Sequence, residues 1–196
     1  MTATPIPRTL QLSLTGIRDL SVIETPPVDR KPVKTSIIER EKSKLKEILN
    51  RELDRGGQIF WVYNRVKGLA RIKEYVKSLV PHANVEIAHG QMSERRLEET
   101  LHNFLLGDIQ ILICTAIIEA GLDFPRANTL IVDTPQLFGL GQLYQLRGRV
   151  GRSSVQAYAY FVVDSIKHLS KPVIKRLRTI LELDYLGAGL RSQWRI

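Results

Sequence analysis

Short runs of β-branched and aliphatic residues alternate with longer amphipathic segments along most of this chain. The short runs predict strands, and apolar residues spaced three and four positions apart predict helices. Strands are predicted at residues 21–24, 33–39, 59–63, 85–88, 109–114, 129–133 and 157–163. Helices are predicted at residues 41–55, 66–79, 94–106, 140–146 and 170–183. Because strands and helices alternate, the chain is predicted to form a parallel α/β sheet with right-handed crossovers.

The length of 196 residues suits one domain with a small appendage better than two full domains. We expect an extended loop and linker at residues 1–30, an α/β domain at residues 31–165, and a C-terminal helical segment with a tail at residues 166–196. Hydrophobic residues make up 43% of the chain and charged residues 25%, which provides enough apolar surface for a buried core.

The chain carries 29 lysines and arginines against 20 aspartates and glutamates, which gives a net charge of +9. A basic balance favours a partner with a phosphate backbone, although a basic solvated surface is the alternative. No apolar run approaches the ~20 residues of a membrane-spanning helix, and the first residues lack the pattern of a signal peptide. The single cysteine, Cys114, cannot form an intrachain disulfide. This composition fits a reducing compartment, and we expect a cytoplasmic protein.

The densest group of candidate functional residues is the sequence QLRGRVGR at residues 145–152, which we call the arginine segment. Arginine suits phosphate because its guanidinium group is planar, permanently charged and able to form two parallel hydrogen bonds. Glycine lets the backbone bend sharply or approach a ligand closely. Arg149 and Arg152 are three positions apart and would share a face on a helical turn. They are predicted to be arginine fingers directed at a γ-phosphate, and the alternative is a basic surface turn.

A threonine and a Gly-x-Asp group follow the very apolar strand that is predicted to end at Cys114. Thr115, at the end of that strand, can donate a hydrogen bond to a phosphate. Gly121 would allow close approach of a ligand, and Asp123 offers a carboxylate acceptor for a sugar hydroxyl or an arginine. Gly-x-Asp is common in turns, so this group indicates a nucleotide site only in combination with the arginine segment.

Three candidate groups come directly after predicted strands: Arg65, His89 with Gly90, and Thr115. In an open α/β sheet, ligands bind at the loops beyond the carboxyl ends of the strands. Ser93 is predicted to cap the helix that begins after His89 and Gly90, and helix N-termini bind phosphates. These positions are therefore candidates for ligand binding, and His89 with Gly90 for binding a phosphate, although a lone histidine is more often structural.

Thr2 and Thr4 place two hydroxyl groups one residue apart on a predicted loop, where they can bridge neighbouring groups or simply form a turn. The sequence has no Gly-Lys pair and so no P-loop, and it has no Asp-Glu pair of the kind that holds magnesium in ATP-driven motors. None of the four histidines has the spacing of metal ligands, and no metal site is predicted. The chain thus has candidate arginine fingers without a P-loop.

Taken in order, these groups resemble motifs III, IV–IVa, V and VI of the superfamily 2 helicases and translocases. Within that superfamily, the resemblance is closest to the transcription-repair coupling factors and spans about residues 1–185. It is carried by TATPIPRT at 2–9, RDLS at 18–21, TPP at 25–27, GGQIFWVYNRV at 56–66, AHGQM at 88–92, ANT at 127–129 and FGL at 138–140. The RecG branch-migration helicases share the first of these segments and the arginine segment, but they usually show HGRM where this chain has HGQM.

The resemblance implies a three-layer RecA-like P-loop NTPase fold, a mainly parallel sheet with helices on both faces that forms the second lobe of a helicase. ATP with Mg²⁺ would bind between this lobe and a first RecA-like lobe, which would hold both mainly through its P-loop. By the same resemblance, Arg149 and Arg152 would reach the γ-phosphate, and Gln145 would help to sense it. Gly121 and Asp123 would line the nucleotide cleft.

The resemblance also implies a DNA path and a cellular role. The residues that would touch the backbone of double-stranded DNA are Thr115, His89, Gly90 and Arg65. Thr2 and Thr4 would couple the nucleotide site to this path. The complete protein would be an ATP-driven DNA translocase of the bacterial cytosol that displaces stalled RNA polymerase and recruits nucleotide-excision repair proteins.

Two stretches depart from the family pattern. Residues 134–137 replace a more polar, usually charged stretch, and residues 190–196 do not match the helical hairpin that follows in the family. We expect the chain to be inactive as an ATPase alone and to be catalytic only together with the first lobe. The alternatives are the equivalent lobe of a RecG-type helicase, a non-enzymatic DNA-binding module, and a fragment without a role of its own.

Overall fold

A computed structural model describes residues 31–116 and 124–189, with side chains described as far as residue 182. The strands are β1 (Lys34–Glu39), β2 (Gln58–Val62), β3 (Val85–Ala88), β4 (Ile111–Cys114), β5 (Ala127–Asp133) and β6 (Tyr158–Val163). They form one six-stranded sheet in the order β1-β6-β5-β2-β4-β3, and every neighbouring pair is parallel. The strand predicted at 21–24 lies outside the described residues.

Helices of the described residues cover both faces of the sheet. They are α1 (Lys42–Asp54), α2 (Leu69–Leu79), α3 (Glu94–Leu106), α4 (Leu140–Arg147) and α5 (Lys171–Gly189). Helices α1 and α2 pack on one face, and α3, α4 and α5 pack on the other. Short 3-10 turns at Pro135–Leu137 and Ile166–His168 follow β5 and β6. The predicted α/β class and the three layers of helix, sheet and helix are confirmed.

Strand β2 lies inside the sheet, between β5 and β4, and its sequence is apolar at almost every position. Phe60 points into one core layer, where its ring lies 5.0 Å from that of Phe104 on α3 and 5.5 Å from that of Phe124. Trp61, the next residue, points into the opposite layer, 6.4 Å from the ring of Tyr75 on α2. Because successive side chains face opposite sides of a sheet, a strand with helices on both faces must be apolar throughout.

Each predicted helix is present, although some helix ends differ from the prediction. The bounds of α3 agree with the prediction, and Gly107 ends the helix with a φ of 96°, a backbone conformation that glycine adopts without strain. Helix α2 begins at Leu69 rather than at residue 66, because Gly68 has a φ of 114° and interrupts the helical backbone. Ser93 occupies the predicted N-cap position, but its side chain forms no capping hydrogen bond, so that part of the prediction is wrong.

The six strands of the described residues all run in the same direction, so their first residues form one edge of the sheet and their last residues form the other. We call these the amino edge and the carboxyl edge. Strand β5 has seven residues, and at about 3.3 Å per residue it separates the two edges by about 20 Å. Helix α5 packs in the same core as α4, since Leu177 and Ile180 are buried there.

Candidate nucleotide and nucleic-acid sites

The arginine segment lies at the amino edge of the sheet. Helix α4 carries the chain from the turn after β5 down the face of the sheet and ends at Arg147. The backbone then turns, with the amide of Arg149 donating to the carbonyl of Leu146 at 3.0 Å. Gly151 packs against Val33, just before β1, and against Ala157, just before β6. The segment therefore occupies the space where the chain enters these two neighbouring strands.

Gly151 is required at its position for two reasons. Its φ is +75°, and a Cβ built on it would lie 2.8 Å from Cγ2 of Val33 and 3.1 Å from Cβ of Ala157. This left-handed residue stands between Arg149 and Arg152 and follows the end of α4. The prediction that the two arginines share a helical turn is therefore wrong, since a left-handed residue cannot continue a right-handed helix.

The side chains of the arginine segment differ in their surroundings. Gln145, Arg149 and Arg152 are half-buried, whereas Val150 is fully buried in the core and anchors the segment. Arg147 extends toward α5, where its Nη1 donates to the carbonyl of Ile180 at 3.4 Å. Arg149 and Arg152 each interact with other groups of this chain, so a phosphate would have to compete with those contacts.

A buried carboxylate that sequence reasoning missed lies beside this edge. Glu52 on α1 is 1% exposed and accepts hydrogen bonds from the hydroxyl of Thr129 and from the guanidinium of Arg55. Arg55 in turn donates to the carbonyl of Gln156 at 2.8 Å, in the segment that leads into β6. The sequence offered one signal, because a glutamate stands four residues after Ile48, on the apolar stripe of the helix.

The candidate backbone-contacting residues lie together at the carboxyl edge, as predicted. Arg65 follows β2, Thr115 follows β4, and His89 and Gly90 follow β3, which are neighbouring strands in the order β2-β4-β3. Strands in a sheet are about 4.8 Å apart, so the three groups span about 10 Å. Arg65 and Gly90 are exposed, and His89 and Thr115 are half-buried. This arrangement presents several donors along a short stretch of surface.

His89 and Thr115 are both held by local hydrogen bonds. The backbone amide of Gln91 donates to Nδ1 of His89 at 3.3 Å, which places the proton of the neutral ring on Nε2. The amide of Thr115 donates to the carbonyl of Ala88 at 3.4 Å. The imidazole Nε2–H is thus a donor that a phosphate oxygen can accept, and it stands next to the hydroxyl-bearing end of β4.

The other half of the carboxyl edge is closed by an ion-pair network that the sequence did not reveal. The guanidinium of Arg40 contacts Asp133 at 2.5 Å and Asp164 at 2.7 Å. Trp61 Nε1 and the Thr134 hydroxyl also donate to Asp133, which is 3% exposed. Burial disfavours the charge of Arg40, but its hydrogen bonds to Asp133 and Asp164 outweigh this effect and raise the pKa. These groups satisfy one another and hold β1, β5 and β6 together.

The last residues to consider are Cys114, which is buried, and four candidates that the structure does not describe. Burial raises the pKa of the Cys114 thiol above its usual range, so this cysteine is not a thiolate nucleophile at neutral pH. Gly121 and Asp123, and Thr2 and Thr4, lie outside the described residues.

Within residues 31–116 and 124–189, no three histidine, cysteine, aspartate or glutamate side chains lie close enough to hold a metal ion. Over the same ranges, no helix combines the length and the hydropathy that crossing a lipid bilayer requires.

Comparison with protein families and curated proteins gives consistent results. The model of the helicase conserved C-terminal domain matches residues 41–154. The transcription-repair-coupling factors of Staphylococcus haemolyticus (strain JCSC1435) and Staphylococcus aureus (strain USA300) are each 52% identical to this chain over 195 residues. The match covers 100% of this chain and 17% of each relative. The chain therefore spans about a sixth of the length of these relatives.

Solved structures support the same fold. RecG bound to a three-way DNA junction is similar with a TM-score of 0.73 and 35% identity, over 92% of this chain and 26% of that one. Yeast Dbp5 bound to RNA and ADP BeF3 is similar with a TM-score of 0.61 and 19% identity, over 94% of this chain and 47% of that one. The second similarity shows the fold alone, which is that of a RecA-like helicase lobe.

Proposed function

Because the chain belongs to the helicase conserved C-terminal domain family, as its motifs indicated, we propose that it is the second RecA-like lobe of an ATP-dependent double-stranded DNA translocase that acts in transcription-coupled DNA repair. The observation that carries this proposal is the placement of the arginine segment. Its backbone is packed against β1 and β6 at the amino edge through Gly151, about 20 Å from the phosphate-binding candidates at the carboxyl edge. One lobe thus offers two separate anion-binding edges.

At the amino edge, the lobe would complete an ATP site that the first lobe begins. Arg149 and Arg152 would stabilise the charge that develops on the γ-phosphate, a contribution worth roughly 10³–10⁵ in rate for an arginine finger, and Gln145 would help to sense that phosphate. Gly121 and Asp123 would line the cleft. Mg²⁺ neutralises phosphate charge in such sites. We assign the metal mainly to the first lobe, because this sequence contains no P-loop and no Asp-Glu pair. The chain alone would not hydrolyse ATP.

At the carboxyl edge, Arg65, His89, Gly90 and Thr115 would contact the phosphate backbone of DNA. Backbone contacts grip DNA without reading its sequence, which suits a motor that must move along any template. Both edges belong to one packed sheet, so closure of the two lobes on ATP would move the DNA-gripping edge as a rigid body. Thr2 and Thr4 would couple the two sites.

The role of the complete protein is proposed from its relatives. The transcription-repair-coupling factors are 52% identical to the chain over 195 residues. We propose that the protein which contains this lobe displaces stalled RNA polymerase and recruits nucleotide-excision repair proteins in the bacterial cytosol.

Two other functions are favoured by particular observations. The similarity to RecG over 92% of the chain favours the equivalent lobe of a branch-migration helicase. The net charge of +9 and the missing P-loop favour a DNA-binding module without enzymatic activity. The first alternative keeps ATP hydrolysis and changes the DNA substrate from a duplex to a junction. The second predicts salt-sensitive DNA binding that does not respond to nucleotide.

The test is a chimera in which this chain replaces the matching residues of the Staphylococcus aureus transcription-repair-coupling factor. ATP hydrolysis would be measured with and without double-stranded DNA, for the unmodified lobe, for Arg152→Ala, and for Lys77→Ala. Lys77 is exposed in the last turn of α2 and serves as a charge-matched control. We expect turnover that DNA stimulates, a loss of about a thousandfold or more in Arg152→Ala, and no change in Lys77→Ala.

Two outcomes would contradict the proposal. A folded chimera that stays silent would contradict the assignment of the lobe, and unchanged turnover in Arg152→Ala would contradict the role of the arginine segment. Stimulation by three-way junctions but not by duplex DNA would favour the RecG-type function instead.

A further inference from the structure

Residues 151–157, which include Arg152, are fixed on the side of β1. Strand β6 lies between β1 and β5, so residues 151–157, which lead into β6, pass between the first residues of those two strands. Gly151 packs against Val33, and Nε2 of Gln156 donates to the carbonyl of Pro32 at 2.7 Å. Both contacts tie this segment to the chain just before β1.

A side-chain hydrogen bond also ties the same segment to β5. The hydroxyl of Ser153 donates to Oδ1 of Asn128 at 3.1 Å. Asn128 is 3% exposed, and its Nδ2 donates to the carbonyl of Arg126 at 3.2 Å. Because the amide nitrogen is committed to that carbonyl, the amide oxygen is left facing Ser153. The amide is therefore held in one orientation, ready to receive the serine hydroxyl.

We propose that Asn128 and Ser153 are positioning residues that fix the direction of Arg152. The arginine stands between Gly151, which is held on the β1 side, and Ser153, which is held on the β5 side. Loss of the bond to Asn128 releases the Ser153 side chain from β5, and the long arginine side chain amplifies a small shift of the neighbouring backbone into a larger displacement of its guanidinium group. This inference rests on the proposed role of Arg152 as an arginine finger.

The simplest rival explanation is that the Ser153–Asn128 bond only stabilises the fold. The two explanations differ in one measurable respect. A positioning residue acts through Arg152, so its removal has no further effect on the rate once Arg152 is gone. A residue that merely stabilises the lobe lowers the folded fraction whether or not the arginine is present.

The experiment uses the same chimera and compares Asn128→Ala, Ser153→Ala and Ser153→Thr, each with and without Arg152→Ala. The matched control is Asn84→Ala, because Nδ2 of Asn84 also donates to a backbone carbonyl at the amino edge, that of Asp108 at 2.7 Å, on the far side of the sheet. The kcat and KM for ATP hydrolysis and the thermal melting temperature would be measured for every variant. Ser153 is half-buried, so Ser153→Ala serves as the second test should Asn128→Ala fail to fold.

We expect Asn128→Ala and Ser153→Ala to lower kcat by about 10- to 100-fold, the size of effect expected for a displacement near 1 Å. KM should change little, because the arginine acts mainly in the transition state. Ser153→Thr, which keeps the hydroxyl, should retain most of the rate, and Asn84→Ala should retain all of it. In the Arg152→Ala background, neither alanine substitution should lower the rate further.

The proposal is overturned if Ser153→Ala keeps its full rate, or if the effects of Arg152→Ala and Ser153→Ala multiply. A loss of rate that merely follows a lower folded fraction would also overturn it. These failures leave the proposed function intact as long as Arg152→Ala lowers turnover by about a thousandfold and leaves a residual rate with which the double variants can be compared. If Arg152→Ala has no effect, the proposed function fails first, and the positioning role fails with it.

Discussion

Two glycines with nearly the same backbone conformation differ in their surroundings. Gly56 has a φ of +72°, and apart from its two chain neighbours no residue has an atom within 4 Å of a built Cβ, whereas Gly151 has a φ of +75° and close contacts on two sides. We expect Gly56→Ala to cost about 1–2 kcal/mol of unfolding free energy through backbone strain alone. Gly151→Ala should cost about 1–3 kcal/mol more, because the methyl group also overpacks Val33 and Ala157.

Urea unfolding of the chain, followed by circular dichroism, measures both free energies. Equal costs for the two substitutions would show that crowding around Gly151 contributes nothing. The comparison isolates packing from backbone strain because the two glycines have almost the same φ.

Single residues also mark the limit of what the sequence predicts. The arginine segment was singled out as a candidate from its composition, because guanidinium groups suit phosphate and glycines let the backbone approach a ligand closely. Its backbone path was not, since nothing local requires Gly151 to lie against Val33, more than a hundred positions earlier. The partners of Asp133 are equally non-local. Arg40, which binds it, also binds Asp164, and both pairings depend on the strand order rather than on spacing along the chain.

At the scale of one helix, two neighbouring residues of α3 differ in how much they contribute to packing. Phe104 is fully buried between α3 and β2, while its neighbour Leu105 is 45% exposed. We expect Phe104→Ala to lower the unfolding free energy by about 3–5 kcal/mol, because it removes ring contacts and leaves a cavity. Leu105→Ala should change it by less than about 0.5 kcal/mol.

Both variants can be compared by the midpoint of urea unfolding. A similar shift for the two would mean that α3 does not pack against the sheet through the Phe104 side. That result would contradict the ring distances of 5.0 Å to Phe60 and 5.3 Å to Phe124.

Helices and strands were predictable wherever local chemistry determines their ends. The ends of α3 were predicted from Ser93 before it and from Gly107 after it, although the Ser93 side chain forms no capping hydrogen bond. The start of α2 did not, because a glycine with φ of 114° lies inside an otherwise continuous apolar pattern. The 3-10 turn at Pro135–Leu137 was also missed, and it follows Thr134, a β-branched residue with a φ of 56°. The hydroxyl of Thr134 donates to Asp133 at 2.8 Å, while its backbone adopts a left-handed conformation that β-branched residues disfavour.

For the whole molecule, the net charge of +9 predicts binding to DNA that weakens as salt rises. If Arg65 contacts one phosphate, Arg65→Gln should reduce the slope of log K against log salt by about 0.9. Lys77→Gln removes the same charge at the amino edge and should leave the slope nearly unchanged. Fluorescence anisotropy with a labelled duplex, measured over a salt series, gives both slopes. Equal reductions would mean that DNA binds the overall charge rather than the carboxyl edge.

The architecture of the lobe was predictable as a class, since alternating strands and helices leave few arrangements other than a parallel sheet. The order of the strands was not, because it depends on which pairs bury the most apolar surface. The grouping of Arg65, His89, Gly90 and Thr115 at one edge followed from parallel strands alone. The placement of the arginine segment at the other edge required knowledge of where β6 inserts.

The position of β6 between β1 and β5 also has a consequence for synthesis on the ribosome. Strand β1 is at the border of the sheet, and its strand partner is β6, with Lys34 opposite Tyr158. The chain between them must be translated before the pair can form, which takes about 6–25 seconds at 5–20 residues per second. During that time β1 has emerged without its neighbour, and its exposed backbone groups are open to other strands. Among the described strands β6 is the last to be made, so we expect nascent chains that stop before β6 to aggregate more readily than chains that include it.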